Sequence, residues 1–325
     1  MKNLFIGLLL ILVVAAFAGA QRPQEQKAAP QPPQPARPAE DQTISVDVNL
    51  VNIVFPVVDK KGKFITNLRK EDFRIAEDNR AQVITNFSSE TDLPLTIALL
   101  VDTSGSIRDK LRFEQEAAIE FFYSTLQRGK DKALVIAFDS APEVLQEFTD
   151  NPETLANAVR KIRAGGGTAL YDAIYLAVSQ RLTGQSGRKI LILISDGDDN
   201  SSRLSLTETL EIAQRNDVAI YGISTNSAAY FGSKEQDRGD KTLKRFSEET
   251  GGRPFFPLKI QDLANSFTDI HQELRSQYTI GYRTTNARAD GTFRKIRIDV
   301  TNKDFKARHR AGYYMPKAPA TSQKQ

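Results

Sequence analysis

The sequence contains no cysteine among its 325 residues and only two histidines. Without cysteine the chain can form no disulfide framework, and no cysteine is present for a lipid to modify. The fold must therefore rely on a packed core, for which a hydrophobic content of 40% is sufficient. No Gly-Lys-Ser or Gly-Lys-Thr follows the glycine run at 165–167, which argues against nucleotide binding through that loop.

The first twenty residues have the pattern of a signal peptide. Lys2 gives a positive start, residues 4–17 are almost wholly apolar, and Ala18-Gly19-Ala20 supplies small residues before Gln21. This pattern predicts export with cleavage after Ala20, to the periplasm or the medium of a bacterium. The alternative is an uncleaved membrane anchor, for which the length of the apolar run is at the short end of what spans a bilayer. Proximity to a membrane is expected only in that second case.

Composition divides the rest of the chain into five segments. Residues 21–42 are rich in proline and glutamine and lack the apolar residues needed for packing, so we expect a disordered spacer. The expected segments that follow are an N-terminal β segment at 43–90, a central domain at 91–275, a C-terminal β segment at 276–315 and a disordered tail at 316–325.

Strand-like and helical patterns alternate through the central segment. The run Lys189–Ile194 has no polar interruption after its first residue, as expected of a strand buried on both faces. The alternation predicts an α/β fold, doubly wound, with a mainly parallel sheet and helices on both faces. A helical pattern at Lys241–Thr250 leaves Thr225–Asp240 as a long loop, which predicts a partner-binding role for Tyr230 and Phe231 at its centre.

The flanking segments are expected to form one accessory β unit. Residues 291–325 carry nine lysines and arginines against two aspartates. A basic segment can bind nucleic acid, but alternation in Arg294–Val300 indicates the solvated face of a strand pair instead. For an exported protein we expect no nucleic acid partner.

Polar clusters follow two predicted central strands. Asp102, Ser104 and Ser106 follow the first, and Asp196 follows another, while Thr168 ends a Gly-Gly-Gly-Thr loop before a helix. In open α/β sheets, ligands bind beyond the carboxyl ends of strands. Each cluster alone also fits a structural role, as a helix cap or a polar turn. Hydroxyl and carboxylate donors without histidine or cysteine favour Mg²⁺, or Mn²⁺ or Ca²⁺, over zinc and copper.

These residues carry a family resemblance. The set D-x-S-x-S at 102–106, Thr168 in "GGGTALYDAI" and Asp196 in "LILISDGDDN" resembles the metal-ion-dependent adhesion site of von Willebrand factor type A domains. The resemblance spans about residues 94–275, and "VAIYGIST" and "SEETGGRPFF" are similar to later elements of that family. The flanks look like those of bacterial VWFA-related proteins known mainly from Acidobacteria.

The resemblance implies roles for the five residues. Ser104, Ser106 and Thr168 would contact the ion directly, and Asp102 and Asp196 would hold its waters and orient the serines. A protein partner would supply an Asp or Glu carboxylate to the ion. The implied protein is a non-enzymatic adhesion or scaffold module, with Asp172, Asp198 and Asp199 as helix-start and loop acids.

Three alternatives are weighed against this interpretation. A serine hydrolase would use Ser104, Asp196 and His271, but the G-x-S-x-G elbow is missing. A Mg²⁺-dependent phosphotransferase of the haloacid-dehalogenase kind needs a second acid two residues after the first, where this chain has a serine. The third alternative is a type A fold whose polar site is purely structural.

Overall fold

A mixed six-stranded sheet forms the centre of the computed structural model, which describes residues 50–89, 93–105, 110–226, 234–259 and 262–317. These residues belong to one unit that spans Val46–Gln325. The signal peptide and the spacer predicted from the sequence lie outside the described ranges. Among the described helices, none is long and apolar enough to cross a membrane.

The described ranges contain fourteen strands and six α-helices. The strands are β1 (Leu50–Asp59), β2 (Phe73–Glu77), β3 (Arg80–Gln82), β4 (Ile84–Ser88), β5 (Leu95–Asp102), β6 (Lys132–Phe138), β7 (Pro142–Thr149), β8 (Arg188–Ser195), β9 (Val218–Ser224), β10 (Pro254–Phe255), β11 (Gln277–Arg283), β12 (Phe293–Val300), β13 (Phe305–Ala307) and β14 (Gly312–Tyr314). The helices are α1 (Leu111–Thr125), α2 (Pro152–Val159), α3 (Leu170–Tyr175), α4 (Leu206–Arg215), α5 (Lys234–Thr250) and α6 (Asp262–Leu274).

The central sheet has the strand order β10-β9-β8-β5-β6-β7 and is parallel except for the edge strand β7. All eight residues of β5 are buried, because apolar cores cover both faces of the sheet. One core includes residues of α1, α2 and α6, and the other includes residues of α3, α4 and α5. The predicted α/β fold with a mainly parallel sheet is confirmed.

Local sequence sets where the helices begin. Ser205 caps α4: its hydroxyl accepts the backbone N–H of Glu208 at 3.3 Å, and the Glu208 carboxylate accepts the N–H of Ser205 at 2.9 Å. Helix α5 begins at Lys234, so the predicted loop over Thr225–Asp240 is wrong in its second half. Gly239 lies inside this helix, where a Cβ atom would meet the Asp196 carbonyl oxygen at 2.1 Å, so the close packing requires glycine.

The flanking segments form two four-stranded sheets, in the orders β13-β1-β11-β4 and β14-β12-β2-β3. Each sheet mixes strands from both flanks, since β1 pairs with β11 and β2 pairs with β12. One apolar core draws on both sheets, with the rings of Phe55, Phe73 and Tyr278 in mutual contact. The expected accessory β unit is therefore present, and the central domain is an insertion within it.

The basic C-terminal segment differs in part from expectation. Lys295 and Arg297 lie on the exposed face of β12, as the alternation predicts. Arg308 instead pairs with the buried Glu273 of α6, and Arg310 pairs with Asp217, next to β9. These two arginines hold the β unit against the central domain, so the prediction of a wholly solvated basic face is wrong for them.

Asp131 joins the two places where the central domain connects to the β unit. Its side chain is buried and accepts the backbone N–H of Leu95, at the start of β5, at 2.8 Å. Its other oxygen accepts the N–H of Gln127 at 3.0 Å and pairs with Arg275, just after α6. One carboxylate therefore binds the first residue of β5 and the end of the last helix.

Replacing Asp131 should destabilise the protein strongly. We expect Asp131→Ala to lower the free energy of unfolding by about 3–5 kcal/mol, because it leaves Arg275 and two backbone N–H groups without their partner. The exposed pair Arg112–Glu116 offers a control, and Glu116→Ala should cost less than about 1 kcal/mol. Urea denaturation measures both, and equal effects would contradict the role of Asp131.

Candidate metal centre

Asp102 is fully buried where the central strand β5 ends. Its Oδ1 accepts the backbone N–H of Ser104 at 2.9 Å, and its Oδ2 accepts the hydroxyl of Ser195 at 2.7 Å. The Ser104 hydroxyl hydrogen-bonds to the same carboxyl group. The carboxylate is thus fixed in one orientation by the loop that follows it and by the neighbouring strand β8.

Ser195 is a site residue that sequence reasoning missed. It is the last residue of β8, fully buried, and its hydroxyl also accepts the backbone N–H of Gly197 at 3.0 Å. It therefore connects Asp102 to the loop that carries Asp196. The sequence could have indicated this role, because Ser195 lies between a buried apolar strand and Asp196, and a buried hydroxyl needs a hydrogen-bond partner.

The electrostatics of Asp102 favour a cation. Burial raises the pKa of its carboxyl group from 3.8 to about 6, and the charge of Asp196 contributes to this rise. The hydrogen bonds from Ser195 and Ser104 act in the opposite direction. A buried carboxylate beside a second acid is unfavourable, and a cation between them removes that cost.

The loop that carries Thr168 is attached to the ends of β5 and β6. Thr103 donates its backbone N–H to the carbonyl oxygen of Phe138 at 2.8 Å and accepts the N–H of Gly165 at 2.6 Å. Gly166 has φ +86°, and a Cβ atom there would meet the Asp139 carboxylate at 2.5 Å. The loop therefore requires glycine for its conformation as well as for its close packing.

Thr168 is connected in turn to the loop after β8. Its backbone N–H donates to the Asn200 side chain at 2.9 Å, and its carbonyl oxygen accepts the N–H groups of Asn200 and Ser201. Asp196 begins the same loop, and its Oδ1 accepts the N–H of Asp198 at 3.1 Å. The structure thus places Asp102, Ser104, Thr168 and Asp196 on three linked loops at the carboxyl edge of the sheet.

Other residues predicted from the sequence fall elsewhere. Ser106, Tyr230 and Phe231 lie outside the described residues. Asp172 accepts the backbone N–H groups of residues 203 and 204, Asp199 accepts the hydroxyl of residue 202, and Asp198 pairs with residue 238. The carboxylates of these three acids hold the surrounding loops together, which agrees with their interpretation as helix-start and loop acids.

The donor chemistry fits a hard divalent cation. Asp102 and Asp196 offer carboxylate oxygens, and Ser104 and Thr168 offer hydroxyls, all of which suit Mg²⁺, Mn²⁺ or Ca²⁺. In the described part of the chain, no three acidic or histidine side chains converge as they would in an all-carboxylate or histidine site. Hydroxyl donors are neutral, so an ion held directly by Ser104 and Thr168 would keep more of its positive charge than an ion held by carboxylates alone.

Glu114 of α1 is a third acid near this edge, and no motif in the sequence pointed to it. It is 2% exposed, and neither carboxylate oxygen has a hydrogen-bond partner in the described residues. Burial raises the pKa of Glu114 from 4.5 to about 8, and the charges of Asp102 and Asp196 add to the shift, while Lys110 opposes it.

Neither histidine supports the hydrolase alternative. His271 lies in α6, and its Nδ1 contacts the Thr125 hydroxyl at 3.2 Å, at the end of α1 far from Ser104. Arg275 donates to the Thr125 carbonyl oxygen and pairs with Asp131, which binds Leu95 at the opposite end of β5 from Asp102, so His271 and Ser104 lie at opposite edges of the sheet. His309 accepts the backbone N–H of Ile298 in the β unit.

Comparison with known families agrees with this geometry. Residues 97–198 match the family model of the von Willebrand factor type A domain. The chain carries a von Willebrand factor type A domain. The matched range begins in β5 and includes all five candidate residues from Asp102 to Asp196. Type A domains commonly mediate protein–protein interaction and often hold a divalent metal ion.

Three known proteins are similar to this chain over part of its length. An uncharacterized protein of Borreliella burgdorferi is 23% identical over 220 residues, which cover 64% of this chain and 62% of that protein. Integrin alpha-X of Mus musculus is 28% identical over 151 residues, which cover 43% of this chain and 13% of the integrin. This chain therefore spans less than two thirds of either relative.

The third is a solved structure, proximal thread matrix protein 1 from the mussel byssus, with a zinc-occupied metal-ion-dependent adhesion site motif. It is 16% identical, with a TM-score of 0.48, and the match covers 61% of this chain and 50% of that one.

The raised pKa of Glu114 predicts a pH dependence of stability. The folded protein holds this proton up to about pH 8 and the unfolded chain releases it near 4.5, so the free energy of unfolding should fall as pH rises through that window. The loss is about 5 kcal/mol at most. Urea denaturation in EDTA should show this fall in the free energy of unfolding for the wild type and a flatter pH dependence for Glu114→Gln. The dependence that remains in the variant below pH 6 comes from Asp102. Identical slopes would contradict this assignment.

Proposed function

We propose that this chain is an exported, non-enzymatic protein whose type A domain binds a protein partner through a divalent cation. Asp102, Ser104, Ser106, Thr168 and Asp196 hold the ion, with Mg²⁺ as the expected species and Mn²⁺ or Ca²⁺ as substitutes. The partner supplies an Asp or Glu carboxylate to the open coordination position. The role is one of adhesion, scaffolding or assembly.

The buried carboxylate of Asp102 is the observation that carries this proposal. It is held by the Ser195 hydroxyl at 2.7 Å and the Ser104 N–H at 2.9 Å, and its pKa is raised toward 6 by burial. A carboxylate that serves only to cap a helix has no need of full burial beside a second acid. The family match, which includes all five proposed ligands, supports the same conclusion.

Other activities have less support. The distance of His271 from Ser104 disfavours a serine hydrolase, and a serine two residues after Asp102 disfavours a phosphotransferase of the haloacid-dehalogenase kind. A purely structural site remains the competing function, and cation binding separates the two. Export follows from the N-terminal pattern at residues 1–20 and the disordered spacer from the composition of 21–42.

Removal of the Asp102 carboxylate should abolish cation binding. We expect the full-length protein to bind Mg²⁺ or Mn²⁺ in calorimetry and Asp102→Asn to bind neither, because its side chain no longer carries the charge that holds the ligand shell. Asp150→Asn is the matched control, since Asp150 is an exposed acid that accepts the N–H of Gly129 and should leave binding unchanged. If the folded wild type binds no cation, the proposal fails.

Ser195→Ala tests the positioning of Asp102 separately from its charge. The variant keeps both acids but removes the 2.7 Å hydrogen bond, and we expect cation affinity to fall about tenfold with the fold intact. Unfolding curves check the fold. An unchanged affinity would show that the hydroxyl does not position the ligand shell.

Partner binding should depend on the ion. Immobilised wild-type protein should retain a bacterial envelope protein in Mg²⁺ and release it in EDTA, whereas Asp102→Asn should retain none. A screen with generic phosphate esters tests the enzyme alternative, and turnover that is lost in Asp102→Asn would overturn the non-enzymatic assignment.

A further inference from the structure

A cavity of about 310 Å³ opens between the start of α1, the end of β9 and the turn before α6. Its apolar walls come from Phe113, Pro257, Leu258 and Leu263. Phe113 is 44% exposed and Leu258 is 57% exposed, so this apolar surface reaches solvent. The volume lies at the small end of ligand pockets and suits a group the size of one side chain.

Glu114 gives the cavity a charge preference. It lines the cavity and is 2% exposed, and neither of its carboxylate oxygens has a hydrogen-bond partner in the described residues. Lys110 and Lys259 also line the cavity; the ammonium group of Lys110 donates to the carbonyl oxygen of Thr225, and Lys259 is exposed. Without a ligand Glu114 holds its proton up to about pH 8, and a cation brought beside it would favour its ionised form and pair with it.

We propose that this cavity binds one cationic side chain of a protein partner, a lysine or an arginine. The apolar stem of the side chain packs between Phe113 and Leu258, and its charged head pairs with Glu114. Lysine and arginine have this combination of a long apolar stem and a terminal charge. A neutral apolar side chain would pack against the same cavity walls but leave the carboxyl group of Glu114 without a hydrogen-bond partner.

The cavity adjoins the proposed metal centre. Asn226 at its rim donates its side-chain N–H to the carbonyl oxygen of Asp196 at 3.1 Å, and Thr225 donates its backbone N–H to Ser195 at 3.1 Å. One partner can therefore place a carboxylate on the ion and a basic residue in the cavity. This link to a shared partner rests on the proposed function, whereas the preference of the cavity for a cation does not.

The experiment uses n-butylammonium, which reproduces the side chain of lysine, and 1-butanol as its neutral counterpart. Binding to the full-length protein is followed by NMR titration at about pH 9, where Glu114 is ionised and the alkylammonium ion keeps its proton. EDTA is present, so that the result is independent of any metal. We expect saturable binding of n-butylammonium to the wild type, with affinity in about the millimolar range, and weaker binding of 1-butanol. Glu114→Gln should weaken n-butylammonium binding about tenfold.

Two further variants keep the test decisive. Glu116→Gln removes an exposed acid from the same helix and should leave binding unchanged. Leu258→Lys adds a positive charge at an exposed wall of the cavity, so it should weaken binding of the ammonium ion even if Glu114→Gln does not fold. Equal affinity of Glu114→Gln and the wild type, equal affinity for the alcohol and the ammonium ion, or no saturable binding to the wild type would each overturn the proposal.

Discussion

The position of one carboxylate, Asp102, governs the architecture around the candidate metal centre. It ends the central strand of a sheet that is covered on both faces, so it is fully buried. A buried carboxylate needs donors, and these come from the next strand through Ser195 and from its own loop through Ser104. Thr103, one residue on, fixes the neighbouring loop through Gly165. The three loops are therefore positioned by the hydrogen bonds that the end of β5 requires.

Three acids lie near this edge of the sheet. Asp102, Asp196 and Glu114 interact electrostatically, and Lys110 is the basic group that opposes the shift in the pKa of Glu114. Asp102 and Asp196 lie beside hydroxyl groups that would complete a metal coordination shell, whereas Glu114 lies in a cavity with apolar walls. Under the two proposals, the first setting would favour a metal ion and the second an organic ammonium or guanidinium group.

The sequence predicted the features that depend on local pattern. Uninterrupted apolar runs identified the buried strands, polar residues at their ends marked Asp102 and Asp196 as candidates, and a glycine run before a helix marked Thr168. What the sequence could not predict depends on tertiary packing. Ser195 looks like the last residue of a strand, Glu114 looks like part of a solvated helix face, and the pairing of Arg308 with Glu273 joins segments far apart in the chain. The start of α5 within the predicted loop was missed as well, and the packing of its Gly239 against Asp196 is likewise a tertiary contact.

The contacts of Asp131 have a mechanical consequence. The central domain leaves the β unit at Leu95 and returns to it after Arg275, and both points bind this one carboxylate. Leu95 and Asp102 are the two ends of β5, about 23 Å apart at 3.3 Å per residue. Tension applied at the carboxyl edge would run along β5 to Asp131, where the two connecting chain segments would share it in parallel, beside the Arg308–Glu273 and Arg310–Asp217 pairs.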